Sequence, residues 1–492
     1  MEEEKGSSLE HRETADKGPK TLADLQHAKT VDTLHNDEAL RVLAAWVGDE
    51  DWEPEEEKKL VRRIDRTLLV ILTLTYGLQY YDKAMLSQAA LFGLRTDLEL
   101  TVGERYSFSA SIFYLGFIWN CVYLGSMRDM YRGLQKLPII LRPAILSWFL
   151  RVGVSPMFML VVGGWYKRDE QALRMGIWYC ATGYVALIAP LINFGLGHIK
   201  GGALNSWQYM YVIAGAITIL WGFVILFFMP PDPIRARGFT ERERYIAVAR
   251  LRVNNAGVRN THFKWQQAFE VLVDIRFWLT FSMAFLIMIA NGPVSTFIPI
   301  FISNFGYSTL NSLLLSMPAG VVIGTIEWVA PLLAYKYPGK RTWIIATCQI
   351  GTITASFLLW LLPRSEKGGL LFACYILATF GGGYAVLMGL QIANTAGYTK
   401  RSVTSSGVFV GYCLGNFVGP MVFKNSDAPG YAPGFIVTVV TSIVASVLAI
   451  VYRYVCIWEN GRRDKSGVGE GFDHAYEDDL TDMKNPQFRY IY

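Results

Sequence analysis

The chain has 492 residues, 52% hydrophobic, 14% aromatic and only 18% charged, with a net charge of +5 and a mean hydropathy of +0.27. Soluble domains carry roughly 25% charged residues, so this composition excludes an ordinary soluble protein and marks a polytopic membrane protein. The basic residues fall in short clusters between apolar runs, as topology determinants do and a nucleic-acid surface does not.

Residues 1–57 are polar and acidic, and the opening MEEEKGSSLEHRETADKG lacks the basic and apolar regions of a cleavable signal. A disordered cytoplasmic tail is expected here, within which VDTLHNDEALRVLAAWV has the pattern of a short amphipathic helix. Apolar runs long enough to cross about 30 Å of hydrocarbon at about 1.5 Å per residue then fall near 67–91, 106–127, 172–199, 207–229, 275–303, 309–335, 342–362, 369–394, 402–424 and 432–456, with another at about 144–166. They group into an N-terminal half, 58–229, and a C-terminal half, 275–456, separated by a polar loop at 230–274 and followed by a cytoplasmic tail at 457–492. The fold class expected is an all-α polytopic membrane protein.

Counting positive charges orients these spans. Lys58, Lys59, Arg62, Arg63 and Arg66 precede the first, Arg235, Arg237, Arg242, Arg244, Arg250 and Arg252 fill the middle loop, and Arg462 and Arg463 follow the last. Both termini and the middle loop are therefore predicted cytoplasmic. Lys336, Lys340, Arg341, Lys400 and Arg401 alternate correctly in the second half, but the first half agrees only if the chain crosses twice between Met127 and the basic turn WYKRDEQALR. Leu137 to Tyr166 is 30 residues, enough for one helix of roughly 20 and not for two. A re-entrant hairpin buried against neighbouring helices, or two short helices, reconciles length with charge. The half is thus irregular at 128–150.

Polar groups within apolar spans are costly and are either satisfied structural elements or parts of a pathway. The first span carries Asp82 and Lys83 in LQYYDKAMLSQ; they read as an ion pair near a helix end, or as groups that handle substrate and protons. Lysine facing a cavity is a natural partner for an anion. The stretch GLQIANTAGYTKRSVTSSGVFVGYCLGNFVGPMVF holds Asn394, Thr395, Lys400, Arg401 and Asn416, and its Gly407, Gly411, Gly415 and Gly419 bare one helix face for static packing or for sliding. Six cysteines stand singly in apolar segments without metal-ligand spacing, and no nucleophile elbow or Walker-type loop occurs, so no metal, no cofactor and no enzymatic or ATP-driven activity is expected.

RRIDRTLL, YYDKAMLSQAALFGLRTDLEL, SPMFMLVVGGWYKRDEQALRMGIWY, FFMPPDP, NGPVSTFIPIFISNFGYSTLNSLLLSMPAG, QIANTAGYTKR and GNFVGP occur in that order. In this series the chain resembles the fungal allantoate permease family, the anion:cation symporter branch of the major facilitator superfamily, over nearly all of its membrane region. The resemblance implies a facilitator fold of two six-helix halves that imports allantoate-, ureidosuccinate-, vitamin- or carboxylate-like anions with protons across the plasma membrane. The departure is at the third helix, which is truncated, re-entrant or missing; Phe149, Leu150 and Arg151 run directly into a Ser155-Pro156 step. Gly125, Asp129 and Arg132 are similar to the gating turn of facilitators.

On this reading Lys83 attracts the anion, Gln391, Asn394 and Asn416 donate hydrogen bonds, and Tyr80, Tyr81, Trp178 and Tyr412 wall the cavity or serve as packing. Asp82 and Glu327 are the protonation candidates. Asp129, Lys167, Arg168, Lys400 and Arg401 set topology and gate contacts. Partners are a small organic anion, protons and the bilayer, with no nucleic acid, and the chain is expected to be monomeric. The competing readings are a non-transporting nutrient sensor, a splice-truncated inactive permease, and a drug exporter, which QIANTAGYTKR and GNFVGP disfavour.

Overall fold

A computed structural model describes residues 42–99 (except 44 and 50), 105, 106, 108, 109, 111, 114, 154–199, 204–230, 232–234, 236, 238–251, 263–427, 430–467 and 479–492, all helix and connecting turns without a strand. The irregular segment at 128–150, and with it Asp129 and Arg151, lies outside the described residues.

In the N-terminal half α1 (Pro54–Ile64) leads through a π-turn at Asp65–Leu69 into α2 (Val70–Ala89), and α3 (Val154–Trp165) is followed by α4 (Arg168–Tyr179), α5 (Ala181–Gly197) and α6 (Ser206–Phe228). The middle loop forms α7 (Glu241–Ala249) and α8 (Trp265–Val273). The C-terminal half comprises α9 (Ile275–Ile289), α10 (Ile298–Asn304), α11 (Thr309–Leu315), α12 (Met317–Lys336), α13 (Arg341–Leu361), α14 (Lys367–Ile376), α15 (Phe380–Ala393), α16 (Tyr398–Val422) and α17 (Ala432–Lys465).

Local sequence explains the boundaries. Thr240 caps α7, its hydroxyl accepting from the Glu243 amide while Glu243 accepts from the Thr240 amide, which satisfies two orphan donors together. Asp274 caps α9 through the Arg276 amide. The turn into α16 needs Gly397, whose φ is 86°, a region that disfavours residues with a Cβ.

Seven helices among the described residues are long and apolar enough to cross a membrane, in the stretches Arg168–Gly197, Ser206–Ile225, Ile275–Ser295, Asn311–Lys336, Arg341–Leu361, Lys367–Ala393 and Ala432–Lys465. Helices α2 and α16 are also long enough, with 20 and 25 residues, and carry the charged and amide side chains. In α6 only 11% of the apolar window is buried, so Val212, Leu220, Phe223 and Phe227 face outward, as lipid-facing side chains do.

The charged turns gather on one face. Glu57 in α1 pairs with Lys167 at 2.6 Å and with Arg250 at 3.3 Å, and Arg250 also reaches Glu170 at 2.8 Å. Arg63 meets Glu243 at 2.6 Å. The turn at Lys167 therefore shares a face with the start of α1 and with the middle loop, as the charge pattern requires. Within the stretch 1–57 expected as a tail, Trp46 stacks on Tyr245 at 5.1 Å, and its ring receives Arg242 at 5.7 Å. On the opposite face Asp97 accepts from Asn205 and Trp207 at 2.9 and 2.8 Å.

Candidate functional site

Between the halves lies a small cavity lined by Tyr76, Tyr80 and Lys83 of α2, Tyr179 and Thr182 of α4 and α5, Asn291 and Val294 beyond α9, Ile323 and Glu327 of α12, Ala378 and Phe380 at the start of α15, and Tyr412 of α16. It leaves about 20 Å³ for the centres of water molecules, room for about one or two waters, and among the described residues ties cross the seam on either side of it. Toward the charged face Arg168 Nε donates to the Ala393 carbonyl at 3.0 Å and Arg341 Nη2 to the Arg168 carbonyl at 3.2 Å. Toward the other, Ser111 Oγ donates to the Phe417 carbonyl at 2.9 Å.

Lys83 places its ammonium 5.7 Å from the Tyr80 ring centre and 5.2 Å from that of Tyr114, cation–π contacts that steady a charge without neutralising it. Glu327, 3% exposed, accepts from the Thr182 hydroxyl across the seam between the halves. Gly381 makes space for it, since a Cβ there would stand 2.6 Å from Glu327 Oε1. The π-turn at Pro293–Phe297 breaks the regular face of the α9 span beside Asn291 and Val294, a device frequent at functional sites. Tyr384 links the lining residues Tyr179 and Tyr412 in a chain of rings, with centroids 5.6 and 5.2 Å apart, that joins the two halves.

Of the residues singled out in the sequence, Lys83, Glu327, Tyr80 and Tyr412 line this cavity. Asn416 stands behind it, its Oδ1 accepting from Asn291 Nδ2 at 2.7 Å, and so orients a lining residue. Asp82 does not share the site with Lys83: it accepts from Thr218 of α6 at 3.3 Å. Gln391 and Asn394 lie near the charged face, beside a second, smaller cavity with Asp274, Arg276, Thr404 and Tyr452. Tyr81 donates to Asn193, and Trp178 packs edge-on against Tyr76 at 4.7 Å.

Lys400, expected as a loop charge, is 1% exposed; it sits among Glu270, Asp274 and Asp482 at 3.0, 2.9 and 2.9 Å. Arg168 and Arg401 are likewise buried at the gate, and Lys167 alone of the described members of this set is partly open. Thr182, Asn291 and Tyr179 were not foreseen. Nothing in their local sequence separates them from ordinary packing residues, because their role depends on which helix face meets the seam. Among the described residues no cluster of His, Cys, Asp and Glu could hold a metal.

Residues 101–420 match the family model for the Major Facilitator Superfamily. The allantoate permease of Saccharomyces cerevisiae is 31% identical, over 92% of this chain and 90% of that one. The chain belongs to the major facilitator superfamily, in the allantoate permease branch. This facilitator is also 31% identical to an uncharacterized transporter of Schizosaccharomyces pombe, over 90% of each chain, and 29% identical to the thiamine pathway transporter of S. cerevisiae, over 89% of this chain and 87% of that one. Among solved structures, the proton:xylose symporter XylE bound to 6-bromo-6-deoxy-D-glucose superposes with a TM-score of 0.57 at 16% identity, covering 78% of this chain and 95% of that one; at that identity the likeness concerns the fold. The facilitator is thus a multi-pass membrane transporter and not an enzyme. Its alignment with another S. pombe transporter covers all of its 492 residues yet runs over 526 positions, so gaps totalling at least 34 positions face this chain.

Proposed function

We propose that this facilitator moves a small organic anion together with protons by alternating access, with the anion held at Lys83 and the proton carried by Glu327. The observation that carries the reading is the cavity itself: one ammonium and one carboxyl, contributed by opposite halves, line the same space. Charged side chains inside a membrane protein mark substrate and proton pathways, and a site at the seam between two repeats is where rocking the halves exposes it alternately to each side. Asn291, Thr182 and the tyrosine hydroxyls supply neutral donors around the charges. Asp82, turned toward α6, has no place in this scheme.

The allantoate permease relative supports a small organic solute as the partner, and the charged face is the cytoplasmic one by the positive-inside rule. The plasma membrane is the compartment this reading assigns, as the membrane across which external anions and protons enter the cytoplasm. The tested prediction concerns Lys83. In a permease-deficient yeast, uptake of the organic anion that the unmodified chain transports should fall at least tenfold in Lys83→Ala. Uptake equal to that of the unmodified chain sinks the anion role of Lys83.

A second reading, that this form does not transport, draws on the 526-position alignment and on the single crossing's length available at 137–166. No uptake of any organic anion by the unmodified chain, with recovery in a form carrying an added span between Leu124 and Pro156, would favour it.

A further inference from the structure

The C-terminal segment, residues 479–492, folds back onto the charged face and is tied there by contacts the transport scheme does not require. Asp482 is 1% exposed, and each of its carboxylate oxygens has two donors. Oδ1 meets Lys400 Nζ at 2.9 Å and the Ala396 amide at 3.2 Å. Oδ2 meets Arg276 Nη2 at 3.1 Å and the Tyr490 hydroxyl at 3.0 Å. Two cations, an amide and a hydroxyl around one carboxylate make a complete anion cradle.

We propose that Lys400 and Arg276 form a carboxylate site at the charged-face gate, that Asp482 fills it from within the same chain, and that segment 479–492 is thereby a latch holding the gate shut. The segment bridges the seam. On the C-terminal half Asn394 donates to the Ile491 carbonyl at 2.6 Å and accepts from its amide at 2.7 Å. On the N-terminal half Arg168 donates to the Arg489 carbonyl at 2.5 Å and lies 4.5 Å from the Phe488 ring centre.

The same Arg168 closes the gate on the Ala393 carbonyl. Opening toward this face separates Arg168 from Ala393, and with the segment seated it must also strip Arg168 from Arg489 and Phe488. The projecting end of α17 holds the segment in place, Arg463 donating to the carbonyls of Asp482, Asn485 and Phe488 and to the Tyr490 hydroxyl. Displacing Asp482 leaves Lys400 on Glu270 and Asp274 and Arg276 on Asp274, and vacates one carboxylate position beside both cations at the mouth of the path; that the carboxylate of a departing solute takes this position rests on the anion reading above.

Ala378 lines the central cavity and is 2% exposed, and no contact ties it to the segment, so a thiol there reports on the gate and not on the covering segment. The experiment is labelling of Ala378→Cys by a membrane-impermeant maleimide applied in turn to each side of membrane vesicles, with the parent chain as baseline. Ending the chain after Lys465 should raise labelling about tenfold or more from the side that bears the C-terminus. A synthetic peptide of residues 479–492 should slow it again, and the same peptide with Asp482→Asn should not. Equal labelling of full and shortened chains, both monodisperse, overturns the latch. Should the shortened chain fail to fold, Asp482→Asn and Phe488→Ala in the full chain decide the matter: each should speed labelling, and unchanged rates in both overturn it. The readout needs no solute, so failure of the anion reading leaves it intact.

Discussion

Lys83 and Asp82 are adjacent in the chain yet serve different surroundings, because successive residues of an α-helix point about 100° apart. Lys83 looks into the seam and Asp82 toward Thr218 of α6. That divergence was derivable from helix geometry alone; which of the two faced the cavity was not, since α2 has bundle neighbours on several sides. Glu327 was legible as a lone carboxyl in an apolar run, and the pathway reading of such groups led to the cavity. Gln391 and Asn394 were legible only as polar, and their height in the membrane depended on where α15 ends. If Glu327 carries the proton, Glu327→Gln should abolish the rise of uptake on external acidification while leaving anion exchange measurable; a persisting pH response of uptake in that variant moves coupling elsewhere. At the charged face, Glu57 illustrates a different balance. Burial alone would raise its carboxyl, but hydrogen bonds from Lys167 and Trp52 and the charges of Lys167 and Arg250 hold it below the usual 4.5. A carboxyl lowered by folding contributes stability that is present above its unfolded value and lost as pH falls through the folded one. Thermal melts of Glu57→Gln should therefore lie below those of the parent at pH 7, by about 1 kcal/mol for a partly exposed pair, and converge with them below about pH 4.

Helix contacts show how small residues set the spacing of elements. The stripe Gly407, Gly411, Gly415, Gly419 brings α16 against α9; a Cβ at Gly415 would stand 2.2 Å from the Phe285 carbonyl oxygen. Both helices belong to the C-terminal half, so the stripe serves close packing within that half. The close approach between halves is elsewhere, where Gly183 of α5 meets Gly320 and Gly324 of α12: a Cβ at Gly183 would stand 1.9 Å from the Gly324 nitrogen. Its signal was present in the sequence as GVVIG, small residues four apart and three before Glu327, a spacing that suits helix pairs in membranes. The longer stripe drew attention from it. Gly183→Leu should wedge the halves apart and lower uptake more than tenfold with the chain still inserted, whereas Gly195→Ala in the same helix, with nothing within 4 Å of the added Cβ, should change stability by less than about 0.5 kcal/mol. Transport assays beside thermal melts of both variants check this; a fully active Gly183→Leu chain would show that the contact does not constrain the motion.

At the scale of the whole molecule, the all-helical membrane fold followed from hydropathy, and a common face for the basic turns at Arg63, Lys167 and Arg250 followed from charge, because lipid imposes long apolar helices and the positive-inside rule orders them. What did not follow was the closure of the charged face. Lys400 and Arg401 read as loop charges because a single sequence shows no partner for them: Asp482, which pairs with Lys400, lies some eighty residues later in a polar tail, and Arg401 turns back onto the Thr395 carbonyl. On the proposed reading, the cavity between Lys83 and Glu327 and the gate at Arg168 belong to a machine in which anion and proton share one site. Proton movement in proteoliposomes tests this most directly. With the purified chain reconstituted and a panel of ureido and carboxylate anions added outside at acidic pH, an internal pH dye should report acidification that depends on the anion, is absent in Glu327→Gln and is strongly reduced in Lys83→Ala. Uptake of a labelled anion with no accompanying acidification, in the unmodified chain, would contradict the account.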